Sequence, residues 1–219
     1  MKRVFKKAKL WLAGLVRRYD WYALYSLRNR GYLFEMGWLN SHRQKAAIDS
    51  KGRPIPWITY PSLTFLEERV KKDFAVFEYG SGNSTLWWAM RSKSVISCEH
   101  DPAWYAQVLP QIPSNAQLNH IALEYGGAYS SMIKQYTNVF DVIFIDGRDR
   151  VNCVRNSLEA LKPDGVLILD NSDLKTYEQA LEFMLKWGFK RIDFVGPGPI
   201  TTAVWCTSIF YRGSNCLNI

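Results

Sequence analysis

Hydrophobic and polar positions alternate in a repeating way from about residue 74 onward. Short apolar runs, "FAVFEY", "SVISCE", "QLNHIAL", "FDVIFID" and "GVLILD", are separated by stretches with helical spacing at Ser84 to Ser92, Pro102 to Leu109, Val151 to Leu161 and Leu174 to Trp187. Runs of this length, rich in β-branched and aromatic residues and bounded by turn residues, predict strands. Strands alternating with helices predict a mainly parallel sheet covered on both faces. The chain closes with "FKRIDFVG", a Gly-Pro-Gly-Pro turn and "WCTSIFYR". That pair predicts an antiparallel hairpin at one edge. Upstream, Pro61 suits the first turn of a helix extending to about Lys72, and the Trp-, Gly- and Pro-rich residues 31–60 are expected to form a connector or lid.

The first thirty residues have a different pattern. Val4, Ala8, Trp11 and Leu15 share one helical face, with Phe5, Leu12 and Val16 beside them and Lys2, Lys6 and Lys9 on another. Nine Lys or Arg and one acid fall in this segment, so the other 28 − 9 = 19 bases and 20 − 1 = 19 acids balance. The whole formal charge of +8 lies at the N-terminus. The uninterrupted apolar run there, Leu10 to Val16, is far short of the roughly 20 residues that cross a bilayer, and Arg17-Arg18-Tyr19-Asp20 stands where a signal-peptide cleavage site would be. Two readings stand: a basic amphipathic helix, including residues 1–28, on an anionic membrane surface, or a helix packed on the domain or on a second copy in a homodimer. Nucleic acid is not expected as a partner, because the positive charge does not spread over the rest of the chain.

The 219 residues, 47% of them hydrophobic, suffice for one substantial core, and so for one α/β domain at 61–219 with a short N-terminal appendage at 1–30. The four cysteines contain no Cys-x-x-Cys pair and read as reduced thiols of a cytoplasmic protein.

Candidate chemistry begins at "FEYGSGNSTLWWA", a strand that breaks at Gly80-Ser81-Gly82 and resumes as a helix. A phosphate-binding loop needs a lysine, absent here, and a dinucleotide fingerprint needs a third glycine where Thr85 stands. Two glycines flanked by Glu78, Ser81, Asn83 and Ser84 suit instead a ligand with an ammonium group and no phosphate. Glu99 ends the next strand, where a carboxylate can accept both hydroxyls of a ribose. An amino acid joined to a ribose points to S-adenosyl-L-methionine. Asp146, at the end of "VIFID", is the candidate for activating an acceptor hydroxyl and for supporting the cofactor loop. Asp170 and Asn171 end the following strand, so Asp146, Asp170 and Asn171 could offer oxygen ligands to Mg²⁺. The alternative is that Asp170 and Asn171 cap a helix, and arginines near Asp146 oppose a cation. Arg148 and Arg150 could orient an anionic or hydroxyl-rich acceptor, and Trp57, Tyr60 and Tyr129 could line its cleft.

"FEYGSGNST", "VISCEHDPAWY", "FDVIFIDGRDRV" and "LKPDGVLILDNSD", in this order, resemble the motif series of class I S-adenosylmethionine-dependent methyltransferases. With "PWITYP" before the first strand and "TSIFYR" ending the last, the chain resembles more narrowly a bacterial group associated with glycan modification. The resemblance covers roughly residues 31–212. It implies a Rossmann-like, seven-stranded sheet whose final strand is inserted antiparallel. It also implies that Glu78, Gly80, Ser81, Gly82, Asn83 and Ser84 hold the methionine part, Glu99 the ribose, and His100 or Trp104 the adenine. The expected activity is O-methylation of a saccharide or glycan intermediate at the cytoplasmic side, with the peripheral membrane as one setting. A nicotinamide-dependent oxidoreductase and a non-catalytic cofactor-binding module are the alternatives.

Overall fold

The computed structural model describes Gly14 and residues 21–219; the N-terminal helical pattern through residue 20 lies, Gly14 apart, outside the described residues. Three short helices come first: α1 (Trp21–Asn29), α2 (Tyr32–Glu35) and α3 (Trp38–Gln44). Helix α4 (Tyr60–Glu67) has Pro61 in its first turn and ends earlier than the expected Lys72. The sheet and its coverings follow as β1 (Ala75–Tyr79), α5 (Asn83–Arg91), β2 (Ser94–Glu99), α6 (Pro102–Val108), β3 (Ala116–His120), α7 (Ala128–Ser131), β4 (Phe140–Ile145), α8 (Arg150–Asn156), β5 (Leu161–Asp170), α9 (Glu178–Lys186), β6 (Lys190–Pro197) and β7 (Val204–Tyr211).

The seven strands are ordered β3-β2-β1-β4-β5-β7-β6. The first five are parallel, and β7 runs antiparallel between β5 and β6. Each central strand sends alternate side chains to opposite faces. Val76, Val142, Phe144, Val166 and Ile168 join one core with Trp87, Trp88 and Leu63. Phe77, Tyr79, Ile143, Ile145, Leu167 and Leu169 join the other with Tyr129, Val154 and Met184. This two-sided burial is why the strands read as continuous apolar runs.

Residues 31–60 are packed into this body. Ile55 and Ile58 are buried in the first core, Thr59 N donates to Thr207 Oγ1 at 3.2 Å, and Thr59 Oγ1 donates to the Phe194 carbonyl at 3.0 Å. Trp38 Nε1 donates to the Thr201 carbonyl at 2.9 Å, tying α3 to the β6–β7 turn. All four cysteines are buried and unpaired.

Chain order reverses between β1 and β4, and the ligand edge of a parallel sheet lies at the carboxyl ends of its strands beside such a switch point. Here the backbones at those ends touch. Gly80 has φ +99°, and a Cβ on it would lie 3.2 Å from Gly147 N. A Cβ on Gly147 would lie 2.9 Å from Gly80 N and 2.1 Å from the Tyr129 hydroxyl. Two glycines therefore let the turns after β1 and β4 close the floor of one cleft.

Candidate active site

That cleft has a volume of about 730 Å³, within the roughly 300–1,000 Å³ usual for small-molecule sites. One half is lined by Glu78, Gly80, Ser81, Ser84, Glu99, His100 and Trp104, and the other by Trp57, Asp146, Arg148, Asp170, Thr201 and Trp205.

Glu78 lies beneath the glycine bend and is fully buried. It occupies a strand position whose neighbours Val76 and Phe144 face the first core, so the polar side chains packed there are arranged to receive it. Its Oε2 accepts hydrogen bonds from Thr85 Oγ1 and Ser97 Oγ, both at 2.5 Å, while Oε1 is buried without a partner. Burial raises its pKa to about 7, offset in part by the neighbouring hydroxyls. A half-satisfied carboxyl at the cleft floor can accept a cationic N–H donor, which would add to the offset that the Ser84, Ser97 and Thr85 hydroxyls give its desolvation. Gly82, φ +143°, makes the bend that opens above it.

Glu99 is almost fully buried and already well used. Oε1 accepts the amides of His100 (2.7 Å) and Asp101 (2.9 Å), and Oε2 accepts Ser81 Oγ at 2.9 Å. His100 Nδ1 lies 2.9 Å from Oε1 but without hydrogen-bond geometry. A carboxylate offers about four acceptor positions, so one remains on Oε2. The two-oxygen ribose grip expected from the sequence is therefore not available as the carboxylate stands. A diol would find one acceptor on Glu99 and a second only if the Ser81 hydroxyl turned away. Asp101 caps α6 by accepting the amides of Ala103 and Trp104, and Trp104 Nε1 donates to the Ser81 carbonyl at 2.8 Å. The indole thus stands against Gly82, where a Cβ would come within 3.2 Å of its ring. Glu99, His100 and Trp104 together form a polar and aromatic wall suited to a nucleoside.

Across the cleft, Arg150 is buried and all five of its N–H donors are engaged. Nε donates to the Gly147 carbonyl (3.0 Å), Nη1 to the Asp170 carbonyl (2.5 Å) and Asn171 Oδ1 (3.2 Å), and Nη2 to the Asp146 carbonyl and Oδ1 (both 2.9 Å). This corrects two expectations. Arg150 has no fork left for an acceptor; it fastens the ends of β4 and β5 to each other. The oxygens of Asp146, Asp170 and Asn171, expected as Mg²⁺ ligands, surround a guanidinium instead, and a cation would have to displace it. Among the described residues no cluster of three or more His, Cys, Asp or Glu is arranged to hold a metal ion. The residues present do not fit a metal.

Asp170 Oδ1 accepts from Trp205 Nε1 (2.9 Å) and Thr207 Oγ1 (2.6 Å). Desolvation pushes both Asp170 and Asp146 above the ordinary carboxylate range, with the Asp146 charge adding to the cost at Asp170 and the Glu78 charge adding to it at Asp146. Arg148, in contrast to Arg150, is exposed and has no side-chain hydrogen bond or ion pair among the described residues. Trp57 is half exposed on the cleft rim.

Three further expectations are corrected by packing. Tyr60 is fully enclosed in the first core, edge-on to Tyr32, and does not reach the cleft. Asn83 turns away from the cleft and donates Nδ2–H to the Ala47 carbonyl at 2.7 Å, holding residues 31–60 to the start of α5. Tyr129 is likewise buried, under Gly147. Sequence reasoning missed Gly147, Thr201 and Trp205. The Asp-Gly step in "FIDGRD" was the available signal for the first; the other two enter through the β6–β7 pairing, which local spacing does not encode.

Residues 77–172 match a family described as "Methyltransferase domain". No curated protein matches the chain. Among solved structures, a spermidine synthase from Thermotoga maritima aligns at TM-score 0.51 and 18% identity over 70% of this chain, which spans 57% of that protein's length. A precorrin-6y C5,15-methyltransferase from Geobacter metallireducens GS-15 aligns at TM-score 0.52 and 15% identity, covering 70% of this chain and 87% of that one. SMU.1697c, a putative methyltransferase from Streptococcus mutans in complex with SAH, aligns at TM-score 0.50 and 16% identity, covering 70% and 99%. At these identities the structures establish a common fold. The matched methyltransferase domain contains Glu78, Glu99, Asp146 and Asp170.

Proposed function

We propose that the protein transfers a methyl group from S-adenosylmethionine to a hydroxyl oxygen of a saccharide or glycan intermediate. One observation carries the cofactor part: the buried, unpartnered Oε1 of Glu78 under a double-glycine bend. The same acid argues against a nicotinamide dinucleotide, since a pyrophosphate over Glu78 would set like charges together.

When bound, the cofactor supplies an electrophilic methyl group on a sulfonium. Glu78 would receive the ammonium, Glu99 Oε2 one ribose hydroxyl, and Trp104 with His100 would flank the base. On the acceptor side, Asp146 is ion-paired by Arg150 and so is the weaker base. Asp170 keeps Oδ1 fixed by Trp205 and Thr207, which leaves Oδ2 to take the acceptor's proton. Asp170 would take the acceptor's proton as the acceptor oxygen gains the methyl group, and the bound cofactor would supply that methyl by breaking its S–CH₃ bond and leave as a neutral thioether. Trp57 and Trp205 present flat faces suited to a sugar ring, and Arg148 supplies an unspent cation for an anionic or hydroxyl-rich substituent.

The test is to incubate the full chain with methyl-labelled cofactor and saccharide acceptors, with NAD binding measured in parallel. Labelled O-methyl product that is lost in Asp170→Asn, with cofactor binding kept, supports the reading. Cofactor binding with no acceptor ever labelled would leave a binding module, and binding of NAD alone would make the cleft an oxidoreductase site.

A further inference from the structure

Helix α1 has no buried residue. Trp21, Tyr22, Leu24, Tyr25 and Leu27 are each more than half exposed. Five large apolar or aromatic side chains in nine residues amount to a patch without a partner among the described residues, whereas scattered surface apolars need no explanation. The patch has an order. Trp21, Leu24, Tyr25 and Arg28 are spaced to share one side of the helix. On another, Arg30 reaches back to Ser26 Oγ at 3.0 Å and lies over the Tyr22 ring at 5.3 Å. Apolar bodies with basic ends at the helix C-terminus are the composition of a helix lying in a headgroup layer.

Charge selects the occupant. The first thirty residues hold nine bases against one acid, while the rest of the chain is balanced. A second copy of this chain would bring a second N-terminal segment of the same charge, with Arg28 and Arg30 at the end of its own α1. An anionic bilayer neutralises it, and Trp and Tyr are favoured at headgroup level. Among the described residues no helix is long and apolar enough to cross a membrane, so the contact is on the surface.

The connection to the cleft is short. Leu33 and Met36, just after α1, pack on the first core. Trp38 then bonds the Thr201 carbonyl and His42 Nδ1 lies 2.8 Å from the Ile200 carbonyl, in the turn that lines the acceptor side. We infer that α1 docks the protein on an anionic lipid surface, with the segment that carries it braced against the acceptor rim of the cleft.

The experiment is co-sedimentation of the full chain with phosphatidylglycerol-containing vesicles and with pure phosphatidylcholine vesicles, at low and high salt. A triple variant, Trp21→Ser/Leu24→Ser/Tyr25→Ser, changes only exposed side chains, and its thermal melt verifies that it is folded. The expected result is binding to the anionic vesicles alone, weakened by salt and lowered at least about tenfold in the triple variant. Failure to pellet with phosphatidylglycerol vesicles, or equal pelleting of both proteins, overturns the inference. So does self-association of the full chain in sedimentation velocity that the triple variant abolishes, which would assign the patch to a second copy. None of these outcomes bears on cofactor binding, so the two readings fail separately.

Discussion

Arg150 Nη2 lies 2.9 Å from Asp146 Oδ1, and the same guanidinium reaches Asn171 Oδ1 at 3.2 Å on the next strand end. One buried cation thus holds together the two carboxyl edges that form the acceptor side. Replacing Arg150 with Met should cost about 3 kcal/mol of stability, because the Asp146 carboxylate and three backbone carbonyls lose a charged partner; chemical denaturation measures it. Because the guanidinium occupies the place a cation would take, adding EDTA to the wild-type protein should leave cofactor affinity and melting temperature unchanged.

Glu78 should limit stability in the empty protein. Its folded-state pKa of about 7 lies above the ordinary value of 4.5, so the native state holds the proton more tightly than the unfolded chain. The Glu78 contribution is therefore largest below the lower value and declines as pH rises towards the higher one, by on the order of 3 kcal/mol in full. Glu78→Gln removes that loss, and its apo melting temperature at about pH 8 should exceed the wild type's while cofactor affinity falls roughly 10- to 100-fold. A variant less stable than wild type at that pH would show that the carboxylate is repaid in the empty protein.

For Glu99 the expected effect is mixed. Glu99→Ala strands the His100 and Asp101 amides that Oε1 accepts, so stability should fall by about 1–3 kcal/mol along with affinity. Glu99→Gln retains one carbonyl oxygen for those amides and should lose affinity with less unfolding. Paired melting and calorimetry on the two variants separate the roles.

The glycine contact gives a steric prediction. Gly147→Ala would set a methyl group 2.1 Å from the Tyr129 hydroxyl and 2.9 Å from Gly80 N, so the turn must move, at about 1–3 kcal/mol or more. Tyr129→Phe in the same chain should not restore the melting temperature, because the Gly80 backbone remains in the way.

The sheet was legible because its central strands are buried on both faces and read as apolar runs whose ends carry the acids. β2 falls on Ser94–Glu99 as the sequence predicts, and the hairpin partners β6 and β7 pair as expected, with β7 on the inside. The places of Glu78 and Glu99 near strand ends on the cleft were readable for the same reason: strand ends are marked by the glycine bend and by His100-Asp101-Pro102. What escaped depends on which neighbour a side chain meets. "DGRDR" contains two arginines of equal local promise, yet only the one that begins α8 folds back under β5 to use all its donors. Tyr60 and Asn83 sit beside plausible motifs, but their partners, Tyr32 and the Ala47 carbonyl, lie in a segment whose packing carries no periodic signature.

Calorimetric titration of the full chain and of Glu78→Gln with S-adenosylhomocysteine, at about pH 6 and about pH 8, tests the central claim most directly. The wild type should bind one equivalent, more tightly at the higher pH where Glu78 is ionised, and the variant should bind weakly with no such dependence. Absence of binding, or equal affinity of both proteins at both pH values, would contradict the assignment of Glu78 to the amino group of the cofactor.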